Sequence, residues 1–136
     1  MISHFRGKYA FLSNFYEHPI AYRGVVYRNS EAAFQAQKCP SRAQEFANLS
    51  GKEAKKLGRH VDFPINWLMV RVVIMEEVLM AKFSDPELRQ KLLDTGDEEL
   101  VEGNNWNDRF WGVDGSGENY LGKLLMKVRS EIRKGL

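Results

Sequence analysis

The alternation of hydrophobic and polar positions in this chain predicts several helices joined by short loops, with a little strand near the N-terminus. The segment AYRGVVYRN, residues 21–29, places aromatic and β-branched side chains on both sides of Gly24. Two short β-prone runs separated by a turn residue are typical of a hairpin. We therefore expect a β-hairpin here, and helices in most of the remaining chain.

The first helix is expected directly after the hairpin. The run SEAAFQAQK, residues 30–38, is rich in helix-forming residues, and Asn29 or Ser30 is the candidate N-cap. Pro40 cannot continue a helix, because it lacks the backbone N–H group and clashes with the preceding turn. The predicted helix therefore ends close to Lys38.

Capping residues indicate where further helices begin. Ser50 with Glu53 fits a capping box, and Ser84 with Glu87 fits another, because in each pair a hydroxyl and a carboxylate stand three residues apart. Between them, residues 67–83 form a long apolar run that predicts a helix buried on much of its surface. This run is not expected to span a membrane, because charged side chains interrupt it, namely Arg71, Glu76, Glu77 and Lys82.

The last part of the chain combines a predicted strand, a loop and a helix. The segment EELVEGN, residues 98–104, is expected to form a short strand. Residues 120–133 show helical periodicity, with five apolar residues on one side: Leu121, Leu124, Leu125, Val128 and Ile132. The loop segment NWNDRFWGVDGSGENYLG, residues 105–122, follows the predicted strand. Its last three residues are also the first three of the predicted helix.

Composition, cysteine count and net charge narrow the class of protein to which this chain can belong. The chain has 136 residues, of which 43% are hydrophobic and 28% are charged, a composition typical of one globular domain. A single cysteine, Cys39, cannot form an internal disulfide, and no secretory leader is recognisable, so we expect a cytoplasmic protein. The net charge of +2 does not by itself indicate a nucleic-acid-binding protein.

The loop segment of residues 105–122 carries the first group of candidate binding residues. It contains Trp106 and Trp111 among asparagines, aspartates and four glycines, with no regular period. Aromatic faces can stack on a base, and amide groups can bind polar edges. Asn119 stands near the start of the last helix, where free backbone N–H groups favour a phosphate. The segment is typical of a nucleotide-like ligand site, although any one of its aromatics could instead be a core residue.

A second group of candidates occurs earlier in the chain. The segment FLSNFY, residues 11–16, again mixes aromatics with polar side chains, including Asn14 and Phe15. Glu31 and Lys38 stand seven residues apart, so a helix would project them from nearly the same face. A solvated helix edge would explain the same two charges, since each is well placed for the helix dipole.

Six ordered motifs make the chain resemble the NADAR superfamily, the YbiA-like N-glycosidases. They are FLSNFY, YRNSEAAFQAQK, LGRHVDFPINW, VLMAKF, LLDTGDEELVEGN and DRFWGVDGSGENYLGKLLMKVR. The resemblance extends from about Phe5 to Arg133. The resemblance implies an α+β fold that is mainly α-helical, with short β-hairpin elements. It also implies one NADAR-like domain over residues 1–136.

The resemblance implies cleavage of an N-glycosidic bond between a ribose and a base, hence a small nucleotide-like substrate. One branch of the family hydrolyses early riboflavin-biosynthesis intermediates, ribosylamino-pyrimidine phosphates, and releases ribose 5-phosphate. Another branch removes ADP-ribose from guanine in nucleic acid. A non-catalytic reader of ADP-ribose, or a nucleic-acid-binding protein that stacks bases on its aromatics, are the alternatives from other classes.

The chemistry assigns roles to the matching positions. Glu31 is expected to stabilise the oxocarbenium-like charge on the ribose or to direct water onto it, and Asp108 to protonate the departing base. Lys38, with its pKa lowered by desolvation, could instead attack the sugar aldehyde as a Schiff-base nucleophile. The expected substrate-binding residues are Asn14, Phe15, Lys82, Trp106, Trp111 and Asn119.

A metal or other cofactor is not expected. The three histidines are too scattered to resemble a metal site, and one cysteine cannot form a thiolate cluster. Lys82 has two interpretations, a phosphate contact or a lysine placed favourably at the C-terminal end of a helix.

Overall fold

The computed structural model describes residues 1–135. The chain divides into two compact units, one formed by Asn14–Lys82 and the other by Met1–Ser13 with Phe83–Leu136. Helices dominate both units, and a single two-stranded antiparallel sheet is present within the described residues. The mainly helical α+β fold predicted from the sequence is therefore confirmed. A helix that is both long and apolar enough for a membrane span is not found in residues 1–135.

The unit Asn14–Lys82 begins with the predicted hairpin. Strand β1, Ile20–Tyr22, pairs antiparallel with β2, Val25–Tyr27. The two turn residues, Arg23 and Gly24, both have positive φ angles, +49° and +83°. Primed two-residue turns need this backbone because it matches the twist of the flanking strands. Local turn chemistry therefore sets the strand register, and the hairpin prediction is confirmed.

Three α-helices complete this unit. They are α1 (Ser30–Ala36), α2 (Gly51–Gly58) and α3 (Trp67–Lys82), and a kinked 3₁₀ helix, Pro40–Phe46, connects α1 to α2. Asn29 caps α1 by accepting a hydrogen bond from the backbone of Ala32. The helix ends at Ala36, two residues before the predicted end at Lys38. A capping box between Ser50 and Glu53 opens α2, as predicted.

Helix α3 is buried along one face. That face includes Trp67, whose ring packs against Phe34 of α1 with centroids 5.2 Å apart. The opposite face leaves Leu68, Met69 and Val73 exposed. The prediction of a helix buried on much of its surface is therefore wrong for the first half of α3.

The second unit contains a 3₁₀ helix, Gly7–Leu12, and two α-helices, α4 (Pro86–Asp94) and α5 (Tyr120–Arg133). The bounds of α5 match the prediction, and its five apolar residues are buried. The predicted N-cap of α4, Ser84, is wrong, because Asp85 accepts the hydrogen bond from the Leu88 backbone. Asp85 directly precedes Pro86 at the first helical position, so its carboxylate is the one that reaches the third helical N–H group.

The predicted strand over residues 98–104 is also wrong. Leu100 and Gly103 each form only an isolated bridge, to Ile2 and Val113 respectively. Between them, the Glu102 backbone N–H donates to the side chain of Asn119 at 2.9 Å rather than to a neighbouring strand. The neighbouring N–H groups of Val101 and Gly103 donate to the backbone oxygens of residues 2 and 3, so the donors of this segment are divided among different partners and no regular ladder forms.

Candidate active site

Within the unit Asn14–Lys82, the clearest chemical arrangement lies on and just after α1. Glu31 lies in the first turn of α1 and is partly buried. Lys38 is also partly buried, and its backbone N–H donates to the Gln35 carbonyl in the turn that follows the helix. The negative charge of Glu31 acts directly on the Lys38 ammonium. The structure therefore brings together these two predicted catalytic residues.

Gln35 lies between the two charged groups on the same side of α1. Its amide Nε2 donates to Glu31 Oε2 at 3.3 Å. Lys38 Nζ donates to the backbone oxygen of Gly58, the last residue of α2, at 3.2 Å. Helix α2 therefore supplies a backbone acceptor to the lysine, while α1 supplies an amide donor to the glutamate.

The environment of Lys38 makes its amine easier to deprotonate. Burial lowers the pKa of Lys38 below its ordinary value, and the nearby cations Arg59 and Arg71 lower it further. Glu31 opposes these effects, because its negative charge favours the ammonium form. The net shift of the pKa is downward, which increases the fraction of neutral, nucleophilic amine at a given pH.

Phe63 adds an aromatic surface near the lysine. Its ring centroid lies 5.9 Å from Lys38 Nζ, and the side chain is 54% exposed. Phe63 belongs to the loop before α3 and was not among the residues predicted from the sequence. It lies within the motif LGRHVDFPINW, which is the signal in the sequence that could have identified it.

Asn14 supports the start of α1. Its side chain is buried, accepts from Ser30 Oγ at 3.0 Å and donates to the sulfur of Met75 at 3.5 Å. Its backbone oxygen accepts from the Glu31 N–H at 3.0 Å. Asn14 therefore fixes the position of the Glu31 backbone.

Phe15 follows Asn14 and is 45% exposed. Its ring packs tightly against Gly51 at the start of α2, where an added Cβ would lie 2.6 Å from the ring. Glycine is therefore required at position 51 for Phe15 to keep this place. One part of the ring is fixed by packing while the remainder stays accessible.

Lys82 ends α3 and is almost completely buried, with 1% exposure. The ring of Tyr16 lies 5.9 Å from its Nζ. Burial lowers the pKa of Lys82 to about 7. A lysine at an exposed helix end would not be so strongly desolvated, so dipole placement alone does not describe it.

The buried lysine predicts a pH dependence of stability. The folded pKa lies near 7 and the ordinary value is 10.5, so between these limits the unfolded chain binds a proton that the folded chain releases. The free energy of unfolding should therefore rise with pH in this window, with a slope approaching about 1.4 kcal/mol per pH unit. Chemical denaturation of wild type and Lys82→Met at several pH values measures this slope. Parallel pH profiles for the two proteins would contradict the assignment.

In the second unit, Asp108 organises the aromatic loop. Its Oδ1 accepts hydrogen bonds from the backbone N–H groups of Phe110 and Trp111 at 3.2 and 3.0 Å. Asn104, which the sequence did not single out, accepts from the Trp106 and Asp108 backbones at 3.2 and 3.1 Å. Short polar side chains that bond to nearby backbone are typical of tight turns. Asp108 therefore has a structural role in its own loop, beside any role as an acid.

The two predicted tryptophans of this loop differ in environment. Trp106 is 57% exposed, so much of its ring is accessible for stacking. Trp111 is partly buried and meets Phe110 edge to face, with ring centroids 4.8 Å apart. Phe110 in turn stacks on Tyr120 at the start of α5. The loop therefore packs one tryptophan into an aromatic cluster and presents the other.

Asn119 uses its side chain within the protein. Oδ1 accepts from the Glu102 N–H and Nδ2 donates to the Leu100 oxygen, both at 2.9 Å. The residue is buried and adopts a left-handed backbone, with φ of +52°. It precedes α5 without capping it through its side chain. Its amide therefore joins the loop to the segment around residue 100.

A metal site requires several ligating side chains arranged around one point. Residues 1–135 contain no group of three or more histidine, cysteine, aspartate or glutamate side chains arranged to hold a metal ion.

Comparison with known proteins identifies the family. The NADAR domain profile matches residues 3–133. An N-glycosidase of Nostoc punctiforme is 38% identical over 136 residues, covering 92% of this chain and 86% of the relative. A riboflavin biosynthesis protein of Vibrio vulnificus is 35% identical over 139 residues, covering 93% of this chain but only 36% of that protein.

A solved structure agrees with these matches. N-glycosidase YbiA of Escherichia coli is 38% identical over 132 residues, covering 91% of this chain and 82% of the relative. The NMR structure of the E. coli protein YbiA superposes with a TM-score of 0.86 and covers 99% of this chain and 86% of that one, at 35% identity. The chain therefore belongs to the NADAR domain family.

Proposed function

We propose that this N-glycosidase of the NADAR family hydrolyses ribosylamino-pyrimidine phosphates, early intermediates of riboflavin biosynthesis, and releases ribose 5-phosphate. One observation carries the proposal. Glu31 and Lys38 are held together, with the pKa of the lysine lowered, in a chain similar to proteins named N-glycosidases. The name of the Vibrio vulnificus relative, a riboflavin biosynthesis protein, supports the choice of substrate.

Glu31 has the chemistry to stabilise the sugar as the bond breaks. Cleavage of an N-glycosidic bond builds positive charge on the ribose ring, and a nearby carboxylate stabilises that charge. The same carboxylate can take a proton from water as the water oxygen bonds to the anomeric carbon. The departing nitrogen gains a proton, so that water is added across the bond.

Lys38 offers a covalent route to the same products. The sugar ring first opens: the bond between the anomeric carbon and the ring oxygen breaks, the oxygen takes a proton, and the substrate nitrogen forms an iminium ion with that carbon. The neutral Lys38 amine then adds to the carbon and passes one proton to the substrate nitrogen. The pyrimidine amine departs, which leaves the iminium ion on Lys38. Water then adds to that carbon, and the sugar aldehyde is released as the lysine amine is restored. The lowered pKa of Lys38 supports this route, because the ammonium form cannot attack.

The other predicted residues complete the proposal. Asp108 is assigned as the acid that protonates the departing base. Substrate contacts are assigned to Asn14, Phe15, Lys82, Trp106, Trp111 and Asn119. The exposed ring of Trp106 supports a stacking role, since base–aromatic stacking contributes about 1–3 kcal/mol per base.

Two substrates offered side by side test the proposal. The purified protein is incubated with a ribosylamino-pyrimidine phosphate and, separately, with ADP-ribosylated guanine DNA, and the products are identified by mass spectrometry. We expect ribose 5-phosphate from the first substrate alone. Loss of ADP-ribose from the DNA alone would overturn the substrate assignment and favour the other branch of the family. Binding of ADP-ribose without turnover of either substrate would overturn the enzyme assignment.

A further inference from the structure

Gln35 is a buried polar residue whose hydrogen bonds are only half accounted for. The side chain is 7% exposed. Its Nε2 donates to Glu31, but its Oε1 is fully buried and accepts no hydrogen bond from residues 1–135. Buried amide oxygens are nearly always paired, so an exception between Glu31 and Lys38 calls for an explanation.

The opposite orientation of the amide would not solve the problem. Exchanging the oxygen and nitrogen of Gln35 would place an acceptor against the Glu31 carboxylate, which has only acceptors when ionised. The bond from Nε2 to Glu31 therefore fixes the orientation, and the oxygen must point away from the glutamate.

Gly58 allows the amide oxygen to approach the lysine. A Cβ added to Gly58 would lie 2.0 Å from Gln35 Oε1 and 3.4 Å from Lys38 Nζ. The Gln35 oxygen and the Lys38 nitrogen therefore both lie within 3.4 Å of the position that a Cβ of residue 58 would occupy. Any side chain larger than hydrogen at position 58 would displace the Gln35 oxygen.

We propose that Gln35 is a positioning residue, which holds the Glu31 carboxylate through Nε2 and keeps Oε1 next to the Lys38 nitrogen as an acceptor for its charged forms. The inference rests on the proposed function. In the covalent route the lysine nitrogen carries positive charge in the iminium ion, and a preorganised carbonyl dipole stabilises charge that develops there. Gln35 thus fixes the distance between the carboxylate and the amine without touching the substrate.

Gln37 provides a matched control for Gln35. It is 6% exposed and follows the same helix as its C-cap residue, but its Nε2 donates to the Ala33 backbone at 2.9 Å. The variants Gln35→Met and Gln37→Met keep a similar volume and remove both polar groups. We expect kcat to fall about 100-fold in Gln35→Met with KM little changed, since loss of positioning acts on the reacting geometry. Gln37→Met should keep its kcat and show only a lower Tm.

The variant Gln35→Glu tests the positioning role through the pH–rate profile, which a purely structural role of Gln35 would not change. Gln35→Glu places a second carboxylate beside Glu31 and close to Lys38. Like charge raises the pKa of Glu31 and opposite charge raises that of Lys38, so the acid limb of the pH–rate profile should move to higher pH. Arg59 and Arg71, the other charged groups acting on Lys38, are unchanged in this variant. Gln37→Glu should leave the acid limb in place.

A substrate-independent measurement separates this inference from the proposed function. Brief acetylation with acetic anhydride at several pH values, followed by peptide mass spectrometry, reports the neutral fraction of Lys38. We expect slower Lys38 labelling in Gln35→Glu than in wild type, and no change in Gln37→Glu. If wild type cleaves neither substrate, the proposed function fails while this labelling still tests the coupling. Equal labelling in both variants and wild type, or equal kcat losses in Gln35→Met and Gln37→Met, would overturn the role of Gln35.

Discussion

Replacing Glu31 with glutamine should reduce kcat by about 10²- to 10⁴-fold while the protein remains folded. The carboxylate is required by both routes, because it stabilises positive charge on the ribose or moves a proton to and from water. Glutamine has the same shape, so the bond to Gln35 Nε2 is kept while the negative charge is lost. Steady-state kinetics on the pyrimidine substrate and a thermal melt measure the two effects.

Glu45→Gln is the control for this substitution. Glu45 is an exposed glutamate that forms a surface ion pair with Arg42, so its removal should leave kcat unchanged. If Glu31→Gln is as active as Glu45→Gln, the Glu31 carboxylate has no part in the mechanism. If wild type shows no activity and both wild type and Glu31→Gln bind ADP-ribose equally, the protein is a non-catalytic reader of ADP-ribose.

Replacing Lys38 with methionine should reduce kcat by at least about 1,000-fold if the amine forms the covalent intermediate. Methionine keeps much of the buried volume and lacks the nucleophile. Sodium borohydride reduces an iminium ion, so wild type mixed with substrate should yield a sugar adduct on the peptide containing Lys38. Intact-mass and peptide mass spectrometry detect this adduct, and Lys38→Met should not form it.

Lys52→Met is the matched control, since Lys52 is an exposed lysine of α2. It should remain active and form the adduct at the Lys38 peptide. If Lys38→Met keeps its activity within about tenfold, the nucleophile is water and the covalent route is wrong. The wild-type rate should rise as pH increases through the pKa of Lys38, which burial places below the ordinary 10.5.

Elements set by neighbouring residues were predictable. The hairpin depends on Arg23 and Gly24, α1 on the Asn29 cap, and α2 on the Ser50 and Glu53 capping box. In each case the stabilising group lies within a few residues of the backbone that it satisfies. The bounds of α5 were predictable for a similar reason, because its apolar periodicity is strong and uninterrupted.

Elements decided by competition between donors and acceptors were not predictable. Asp85 rather than Ser84 is the N-cap of α4, since its carboxylate accepts the hydrogen bond from the Leu88 N–H. The segment 98–104 forms only isolated bridges, because its backbone N–H groups bond partly to residues 2 and 3 and, at Glu102, to the distant side chain of Asn119. A pattern of hydrophobic positions records burial, but it does not record which polar group binds which partner.

The sequence by itself determined the family and the mainly helical fold, and it placed Glu31 and Lys38 seven residues apart at the start of α1 and just after its end. Only the tertiary structure decided the environment of these two residues. The lowered pKa of Lys38 depends on burial and on cations from other segments, and Gln35 reaches its place because α2 ends with a glycine against it. Desolvation and close packing arise from segments far apart in the chain, so they appear only once the helices are packed together.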